Sequence, residues 1–224
     1  MAKVIAIMGE SGSGKTTSMR NLDPETTYYI DCDKKGLSWR GWKGQYKNAV
    51  NYTATDIPQT VKRLLEWLNG KKLDEKTKQP ITTGLKFKTV VVDTLNGIMV
   101  AEEMRNVKVQ GYGKWSDLAA YIYEILDYAL SMRDDITVIF VAHSETISDD
   151  NGMVFTRIKT NGRKLDKIVV ESKLSNVLLA ECKDGKYIFH TRADRSSTKT
   201  SYGAFEEDEI DNDIVEVINA LEEF

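Results

Sequence analysis

Cysteine, histidine and long apolar runs are scarce in this chain of 224 residues, and each scarcity excludes a class of protein. The two cysteines, Cys32 and Cys182, lie far apart in the sequence, and together with His143 and His190 they form no spacing typical of structural zinc. Because unpaired cysteines are commonly buried, we interpret both as buried reduced thiols. No stretch is apolar enough to span a bilayer, and no secretory leader is recognisable. We therefore expect a cytoplasmic protein without a membrane partner.

An overall excess of positive charge is also absent, since the formal net charge is −3. This balance gives no general sign of nucleic-acid binding. The distribution is less even, because basic residues outnumber acidic ones between residues 157 and 199, whereas every charged residue from 206 to 224 is acidic. Such a pair of segments fits either a polyanion site with a competing acidic tail or two ordinary solvated faces.

The periodicity of apolar residues predicts an α/β fold with a mainly parallel central sheet flanked by helices. With 41% hydrophobic residues, the chain suits one domain over residues 1–224. The strands are predicted at residues 3–8, 27–31, 49–53, 88–93 and 136–142. The helices are predicted at residues 15–22, 57–68, 116–132 and 213–221, the last within an acidic C-terminal helical segment, 206–224. Residues 70–87 are polar and interrupted by proline and glycine, so we expect an exposed insertion there.

The second half of the chain carries the signals of β-hairpins. The turn sequence Asp149-Asp150-Asn151-Gly152 lies between β-prone segments in 145–157, and Lys183-Asp184-Gly185 separates 174–182 from 186–191. We therefore expect C-terminal β-hairpin additions to the sheet. A helix is predicted over residues 162–170.

A glycine-rich motif directly follows the first predicted strand and fits G-x-x-x-x-G-K-[ST] at every fixed position. It predicts that successive backbone N–H groups bind the phosphates of ATP, that Lys15 reaches the β- and γ-phosphates, and that the Thr16 hydroxyl binds Mg²⁺. The predicted nucleotide-binding residues are Gly9, Glu10, Ser11, Gly12, Ser13, Gly14, Lys15, Thr16 and Thr17.

A second element is the predicted strand 88–93, whose apolar run Val90-Val91-Val92 ends in Asp93. A carboxylate at this place would hold Mg²⁺ through water or through the Thr16 hydroxyl, although a helix-capping aspartate has the same sequence pattern. The guanine-reading motif N/T-K-x-D has no counterpart, because the nearest strings, at 71–74 and 163–166, begin with Lys and Arg. We therefore expect ATP rather than GTP.

The order of these segments resembles the RecA-like ATPases, and it is most similar to small phage-encoded members that assist single-strand annealing. The segments that carry the resemblance are GESGSGKTT at 9–17, YYIDCD at 28–33, KTVVVDTLNGI at 88–98, YGKWSDL at 112–118, VIFVAHSE at 138–145, TNGRKL at 160–165 and the tail from 192 to 205. The resemblance implies a RecA-like fold and an ATPase that uses ATP and Mg²⁺.

The resemblance also implies roles for residues at the ends of two strands. Asp33 stands where these relatives carry a glutamate that polarises the attacking water, with Asp31 close by. The alternative for both aspartates is a capping role in a turn. His143 stands where a polar residue senses the γ-phosphate and signals to a DNA-binding loop, here 145–163 with Arg157, Lys159 and Arg163 as phosphate-binding candidates.

Partners follow from the same resemblance. Basic residues of a polar loop, Arg192, Arg195 and Lys199, would enter the catalytic site of a neighbouring subunit in a homo-oligomer, either a filament or a ring; simple solvation is the alternative. Single-stranded DNA is the implied ligand, together with a single-strand binding protein, in the bacterial cytoplasm of a phage host. We expect no separate N-terminal domain. A helicase-like motor, a small-molecule or nucleotide kinase and a non-enzymatic nucleotide-dependent scaffold stay open as alternatives.

Overall fold

A computed structural model describes residues 1–71, 73–74, 76–108, 113–148, 152–161 and 169–224, with the side chains of 113–117 left aside. The strands are β1 (Lys3–Gly9), β2 (Thr27–Asp31), β3 (Tyr52–Ala54), β4 (Thr89–Asp93), β5 (Thr137–Ser148), β6 (Val154–Ile158), β7 (Asn176–Lys183), β8 (Lys186–His190) and β9 (Glu209–Asp211). The α-helices are α1 (Trp42–Gln45), α2 (Pro58–Leu68), α3 (Leu95–Arg105), α4 (Gly113–Leu130) and α5 (Ile214–Ala220). Short 3-10 helices cover Thr17–Asn21, Thr83–Lys86 and Val170–Lys173.

The described strands form one sheet in the order β3-β2-β4-β5-β1-β7-β8-β9, with β6 paired to β5. Strands β3, β2, β4, β5, β1 and β7 are parallel neighbours, so their carboxyl ends meet at one edge. Strands β8 and β9 continue the sheet as antiparallel neighbours. The predicted parallel sheet and its C-terminal hairpin are confirmed.

Both faces of the sheet are buried, which explains the unbroken apolar runs of the central strands. In β1, Val4, Ala6 and Met8 face the core that contains α2, α3 and α4. Ile5 and Ile7 face the opposite core, where α5 packs. Neighbouring residues in β1 thus face opposite cores, so packed layers cover both faces of the sheet.

Helix α4 buries one stripe of apolar residues, and its predicted face is confirmed. Leu118, Ile122, Ile125, Leu126 and Ala129 are all buried. The spacing of these residues matches the helical repeat, and the stripe packs in the same core as α2. Its bounds differ from the predicted 116–132, since the helix extends from 113 to 130.

The helix predicted at 15–22 is wrong in type. Residues 17–21 form a 3-10 helix, Leu22 is extended, and Ser18 donates from Oγ to the carbonyl oxygen of Lys15 at 2.7 Å. The sequence TTSMRN is poor in strong helix formers, and Pro24 restricts the residue before it. The helix dipole therefore adds little to phosphate binding, and the amides of the loop become the main anion donors.

Several other expectations need correction. The acidic segment 206–224 contains a strand, β9, before the helix, which is confined to 214–220. Strand β5 does not stop at 142 but continues to Ser148 and forms the hairpin with β6. Helix α3 was not predicted, because Asn96 and Gly97 interrupt its apolar pattern. The helix expected at 162–170 falls mainly outside the described residues, and Val170 begins a 3-10 helix instead.

The insertion at 70–87 is largely exposed in its described part, with Gly84 and Phe87 buried. Cys32 is buried, whereas Cys182 is exposed, so the expectation of two buried thiols is wrong for Cys182. Neither cysteine forms a disulfide. Over the described part of the chain, every helix is too short or too polar to cross a membrane.

Candidate active site

Strand β1 leads into the predicted phosphate-binding loop at Gly9, directly beside β7. A Cβ atom at Gly9 would lie 2.6 Å from the carbonyl oxygen of Ala180, so a larger residue would push β7 away. Gly14 has a φ of 89°, in the left-handed region that favours glycine. A Cβ atom there would lie 2.8 Å from the ring of Tyr187. Packing and backbone conformation therefore both require glycine at these fixed positions.

Lys15 lies over the loop that precedes it and is only 6% exposed. Its Nζ donates hydrogen bonds to the carbonyl oxygens of Gly9 at 2.8 Å and Glu10 at 2.5 Å. Burial lowers the pKa of Lys15 to about 8, against an opposing effect of the nearby Asp93 carboxylate. A bound polyanion would favour the charged form, so this lysine is suited to a phosphate ligand.

The residues of the predicted metal site meet directly. The Thr16 hydroxyl donates to Asp93 Oδ2 at 2.8 Å, and the Tyr29 hydroxyl donates to the same oxygen at 2.6 Å. The other oxygen, Asp93 Oδ1, is buried and has no hydrogen-bond partner among the described residues. Burial raises the pKa of Asp93, and the bonds from Tyr29 and Thr16 oppose that rise.

This geometry fits Mg²⁺, which prefers oxygen ligands and commonly uses one carboxylate together with a hydroxyl, waters and substrate phosphates. An unpartnered buried carboxylate oxygen is costly unless a cation or water satisfies it. The alternative role of Asp93 as a helix cap is excluded, because Thr94 caps α3 by accepting a bond from the Gly97 amide at 3.0 Å. Thr16 and Asp93 could therefore hold the metal.

Asp31 has a structural role in a turn. Its two oxygens accept hydrogen bonds from the amides of Lys34 and Gly36, both at 2.8 Å, and from the Tyr52 hydroxyl at 2.7 Å. The two amide bonds fix the turn that follows β2, and the Tyr52 hydroxyl joins Asp31 to β3. The capping interpretation is therefore confirmed for Asp31, and its carboxylate is not available as a base.

Asp33 lies in a different environment, and its side chain is 18% exposed. Its Oδ1 accepts a hydrogen bond from the Thr94 hydroxyl at 3.0 Å, and its Oδ2 lies 2.5 Å from Lys35 Nζ. Thr94 directly follows Asp93, so Asp33 is next to the pair formed by Asp93 and Thr16. Asp33 is thus connected to that pair through Thr94, and one of its oxygens is held by Lys35, so the role that the resemblance implies for Asp33 stays a prediction.

A cavity of about 510 Å³ opens along the loop, with Lys15, Thr16 and Thr94 in its lining. It is lined by Ser11, Gly12, Ser13, Gly14, Lys15, Thr16, Thr17, Lys35, Ser38, Thr94, His143 and Tyr187. The sequence interpretation missed Lys35, Ser38, Thr94 and Tyr187. Only Thr94, which follows the predicted Asp93, carried a signal in the sequence, because a strand end followed by a cap residue marks a helix start.

His143 lines this cavity at the point where β5 leaves the parallel sheet, paired in register with Gly9. Burial lowers the pKa of His143, and the positive charge of Lys15 lowers it further. Its amide donates to Asn96 Oδ1 at 2.7 Å, while Asn96 Nδ2 donates to the carbonyl oxygen of Lys159 at 2.9 Å. Asn96, which the sequence interpretation missed, therefore connects the cavity to the segment after β6.

The predicted basic residues of the C-terminal loop are not part of this cavity's described lining. Arg192 is exposed and donates to Asp208 Oδ1 at 2.6 Å. Arg195 is exposed at a φ of 54°, and Lys199 pairs through its backbone with Val177 beside β7. Their predicted role in a neighbouring subunit's site stays a prediction.

The predicted DNA-binding segment begins as the hairpin of β5 and β6. Arg157 Nε donates to Glu145 Oε1 across the hairpin at 2.8 Å, and Lys159 is exposed. Phe155 is 40% exposed and pairs in register with Ile147. Arg163 and the turn at 149–151 lie outside the described residues.

The fold and the site together define a P-loop nucleotide-binding protein, with the loop at the carboxyl edge of a mostly parallel sheet. The model of a family described as AAA domain, AAA_24, matches residues 1–203. The chain belongs to this AAA family of P-loop ATPases. The matched range contains every predicted site residue and ends before β9 and α5. No curated protein matches the chain.

Proposed function

We propose that this protein is a magnesium-dependent ATPase of the RecA-like type that binds single-stranded DNA and acts in phage recombination or strand annealing. The observation that carries the catalytic part is the hydrogen bond from Thr16 to Asp93 Oδ2, next to an Oδ1 atom that has no hydrogen-bond partner among the described residues. A loop of amides, a buried lysine and a metal-binding pair are the parts that hydrolysis of a nucleoside triphosphate requires.

In this proposal the loop amides and Lys15 bind the β- and γ-phosphates, and Asp33 orients the attacking water. The water oxygen attacks the γ-phosphorus, and the bond to the β,γ-bridging oxygen breaks, so that ADP leaves with that electron pair. The proton of the water passes to Asp33 or to the released phosphate. Thr16 and Asp93 would hold Mg²⁺, which when bound neutralises charge on the phosphate oxygens.

Three observations support the DNA part of the proposal. His143 lines the phosphate cavity, and Asn96 bonds both to it and to Lys159 at the base of the β5–β6 hairpin. The same hairpin exposes Phe155, and an aromatic ring beside basic residues suits the stacking and phosphate contacts of single strands. In this proposal a ligand at the γ-phosphate biases the hairpin through the backbone of His143, which is bonded both to Asn96 and to the Lys159 amide.

A homo-oligomer, as a filament or ring, is the assembly that the proposal implies. Arg195 is the better candidate for entry into a neighbouring site, because its side chain is exposed, whereas Arg192 is already paired with Asp208. Lys199 is held between strands by its backbone. A single-strand binding protein is the expected further partner, and the bacterial cytoplasm the expected compartment.

ATP turnover measured with and without single-stranded DNA tests this proposal. We expect stimulation by single strands at low salt, weaker stimulation by duplex, and loss of DNA stimulation with retained basal turnover in Phe155→Ala. Tyr202→Ala, which removes another exposed aromatic ring, is the control and should keep the stimulation.

Basal turnover without any DNA binding would reject the recombination part and leave an ATPase. ATP-driven unwinding of a duplex would favour the helicase-like motor, and transfer of the phosphoryl group to a nucleoside monophosphate would favour the kinase. Binding without hydrolysis would favour the nucleotide-dependent scaffold.

A further inference from the structure

Two adjacent lysines after β2 have equal exposure but different partners. The side chain of Lys34 is 53% exposed and that of Lys35 is 52% exposed. Lys34 forms an ion pair with Asp56, which also pairs with Arg105, away from the cavity lining. Lys35 instead points into the phosphate cavity. The turn fixed by Asp31 separates the two side chains, because it bonds the amides of Lys34 and Gly36.

Among the described residues that line the phosphate cavity, the lysines are Lys15 and Lys35. The two lysines are close enough that Lys35 contributes to the lowered pKa values of both Lys15 and His143. Burial lowers the pKa of Lys35, but the hydrogen bond to Asp33 and the nearby carboxylates outweigh that effect and raise it. Lys35 therefore both lines the phosphate cavity and contacts the candidate base, Asp33.

A chain of contacts leads from Lys35 to Asp93 and Thr16, the two residues that would hold the metal. Lys35 Nζ lies 2.5 Å from Asp33 Oδ2, and Asp33 Oδ1 accepts from the Thr94 hydroxyl at 3.0 Å. Thr94 is bonded covalently to Asp93, whose Oδ2 accepts from Thr16. Lys35, at the other end of this chain of contacts, also lines the phosphate cavity.

We propose that Lys35 is a second catalytic cation of this site, which contacts the terminal phosphate of a bound triphosphate from within the same subunit. The inference rests on the proposed ATPase function. As the β,γ-bridging bond breaks, negative charge redistributes over the γ-phosphoryl oxygens, and the ammonium stabilises it there. When Lys35 turns to this phosphate, it releases Asp33 Oδ2, which then accepts the hydrogen bond of the attacking water. No proton leaves Lys35, and the water proton goes to Asp33 or phosphate as above.

Calorimetric titration with ADP and with the slowly hydrolysed analogue ATPγS, each with Mg²⁺, tests the contact directly. Lys35→Gln should lower the affinity for ATPγS by about tenfold, the equivalent of one charge-assisted hydrogen bond, and change the ADP affinity by less than about twofold. Lys34→Gln is the matched control and should change neither affinity. Lys35→Arg should keep the preference for the triphosphate.

Turnover gives the second readout. The same Lys35→Gln variant should lower kcat by about 100-fold, as does the loss of one preorganised donor to a transition-state charge, while Lys34→Gln keeps the wild-type rate. A purely structural role for Lys35 predicts equal losses of ADP and ATPγS affinity, and that result would overturn the proposal. Unchanged affinities for both nucleotides would overturn it as well.

The experiments distinguish a failure of the ATPase proposal from a failure of the proposal for Lys35. If the wild-type protein binds ATPγS but never releases phosphate from ATP, the ATPase proposal is rejected, and the affinity ratio still decides whether Lys35 contacts the terminal phosphate. If the wild-type protein binds neither nucleotide, both proposals fall.

Discussion

Two cavities share the phosphate-binding loop as a common wall, and they differ in charge. The cavity of about 510 Å³ on one side is lined by two lysines, Lys15 and Lys35, and by no described carboxylate. The cleft of about 380 Å³ on the other side, between the loop, the β5–β6 hairpin and β7, has Glu10 and Glu181 as the charged residues of its described lining. Ser11, Gly12 and Ser13 line both.

The comparison shows that the loop sequence alone does not decide which side holds a triphosphate. Hydroxyl groups and backbone are present on both sides. The lysine ammonium groups and Thr16, which is bonded to Asp93, lie on the side of the larger cavity. A polyanion is repelled by carboxylates and attracted by ammonium groups, most strongly where water is excluded. We therefore assign the nucleotide to the larger cavity, and four changes test that assignment.

The largest effect is expected from Lys15→Ala. Loss of the buried ammonium removes the main charge partner of the β- and γ-phosphates, so ATP turnover should fall by about 1000-fold or more. Phosphate release measures the rate, and circular dichroism checks that the fold is retained. Turnover within tenfold of wild type would contradict the assignment to the larger cavity.

A smaller but still large effect is expected from Asp33→Asn, which keeps the size of the side chain and removes the base. The kcat should fall by about 100-fold, within the range of a lost general base, with little change in nucleotide affinity. Asp31→Asn should instead lower the free energy of unfolding, because Asp31 holds the turn after β2. Equal turnover of Asp33→Asn and wild type would exclude Asp33 as the base.

The third effect is a dependence of binding on pH. The pKa of Lys15 is lowered to about 8, and a bound triphosphate stabilises its charged form and so raises that pKa. Binding above pH 8 must therefore take up a proton, and the affinity should fall by up to about tenfold per pH unit there. Titrations in two buffers of different ionisation enthalpy measure the uptake. A pH-independent affinity between 7 and 9.5 would show that Lys15 stays outside the binding site.

The smallest effect is expected on the other side of the loop. Glu181→Gln removes a carboxylate from the smaller cleft and should change ATP affinity by less than about twofold, because the exposed Glu181 lies on the far side of the loop. The exposed pairing with His190 contributes less than about 1 kcal/mol to the free energy of unfolding. A large gain in ATP affinity would indicate that this cleft takes part in nucleotide binding.

Much of the parallel sheet and its loop could be predicted from the sequence, because both depend on local patterns. The apolar run of residues 90–92 and the glycines of residues 9–14 each lie within one short segment, and the backbone conformation of each segment follows from residue type. The Asp93 assignment was open in the sequence, since a cap has the same pattern. The structure excludes the capping alternative, because Thr94 takes the capping role, and the metal-binding role of Asp93 stays a prediction.

The remainder of the site depends on contacts between distant segments. Lys34 and Lys35 are adjacent and of the same type, so the sequence does not distinguish them. In the structure Asp31 holds the turn that contains them, and Lys35 lines the cavity whereas Lys34 does not. Asn96 likewise acquires its place through hydrogen bonds to His143 and Lys159, which lie 47 and 63 positions further along the chain. Strand β9 was not predicted because its short acidic sequence becomes a strand only by pairing with β8.

The most direct test of the central claim is a calorimetric titration of ATP with Mg²⁺ into the purified protein, with Lys15→Ala as its control. The account predicts one nucleotide bound per chain by the wild-type protein and no detectable binding by the variant at the same concentrations. Equal binding by both proteins, or none by folded wild-type protein at millimolar ATP, would contradict the account.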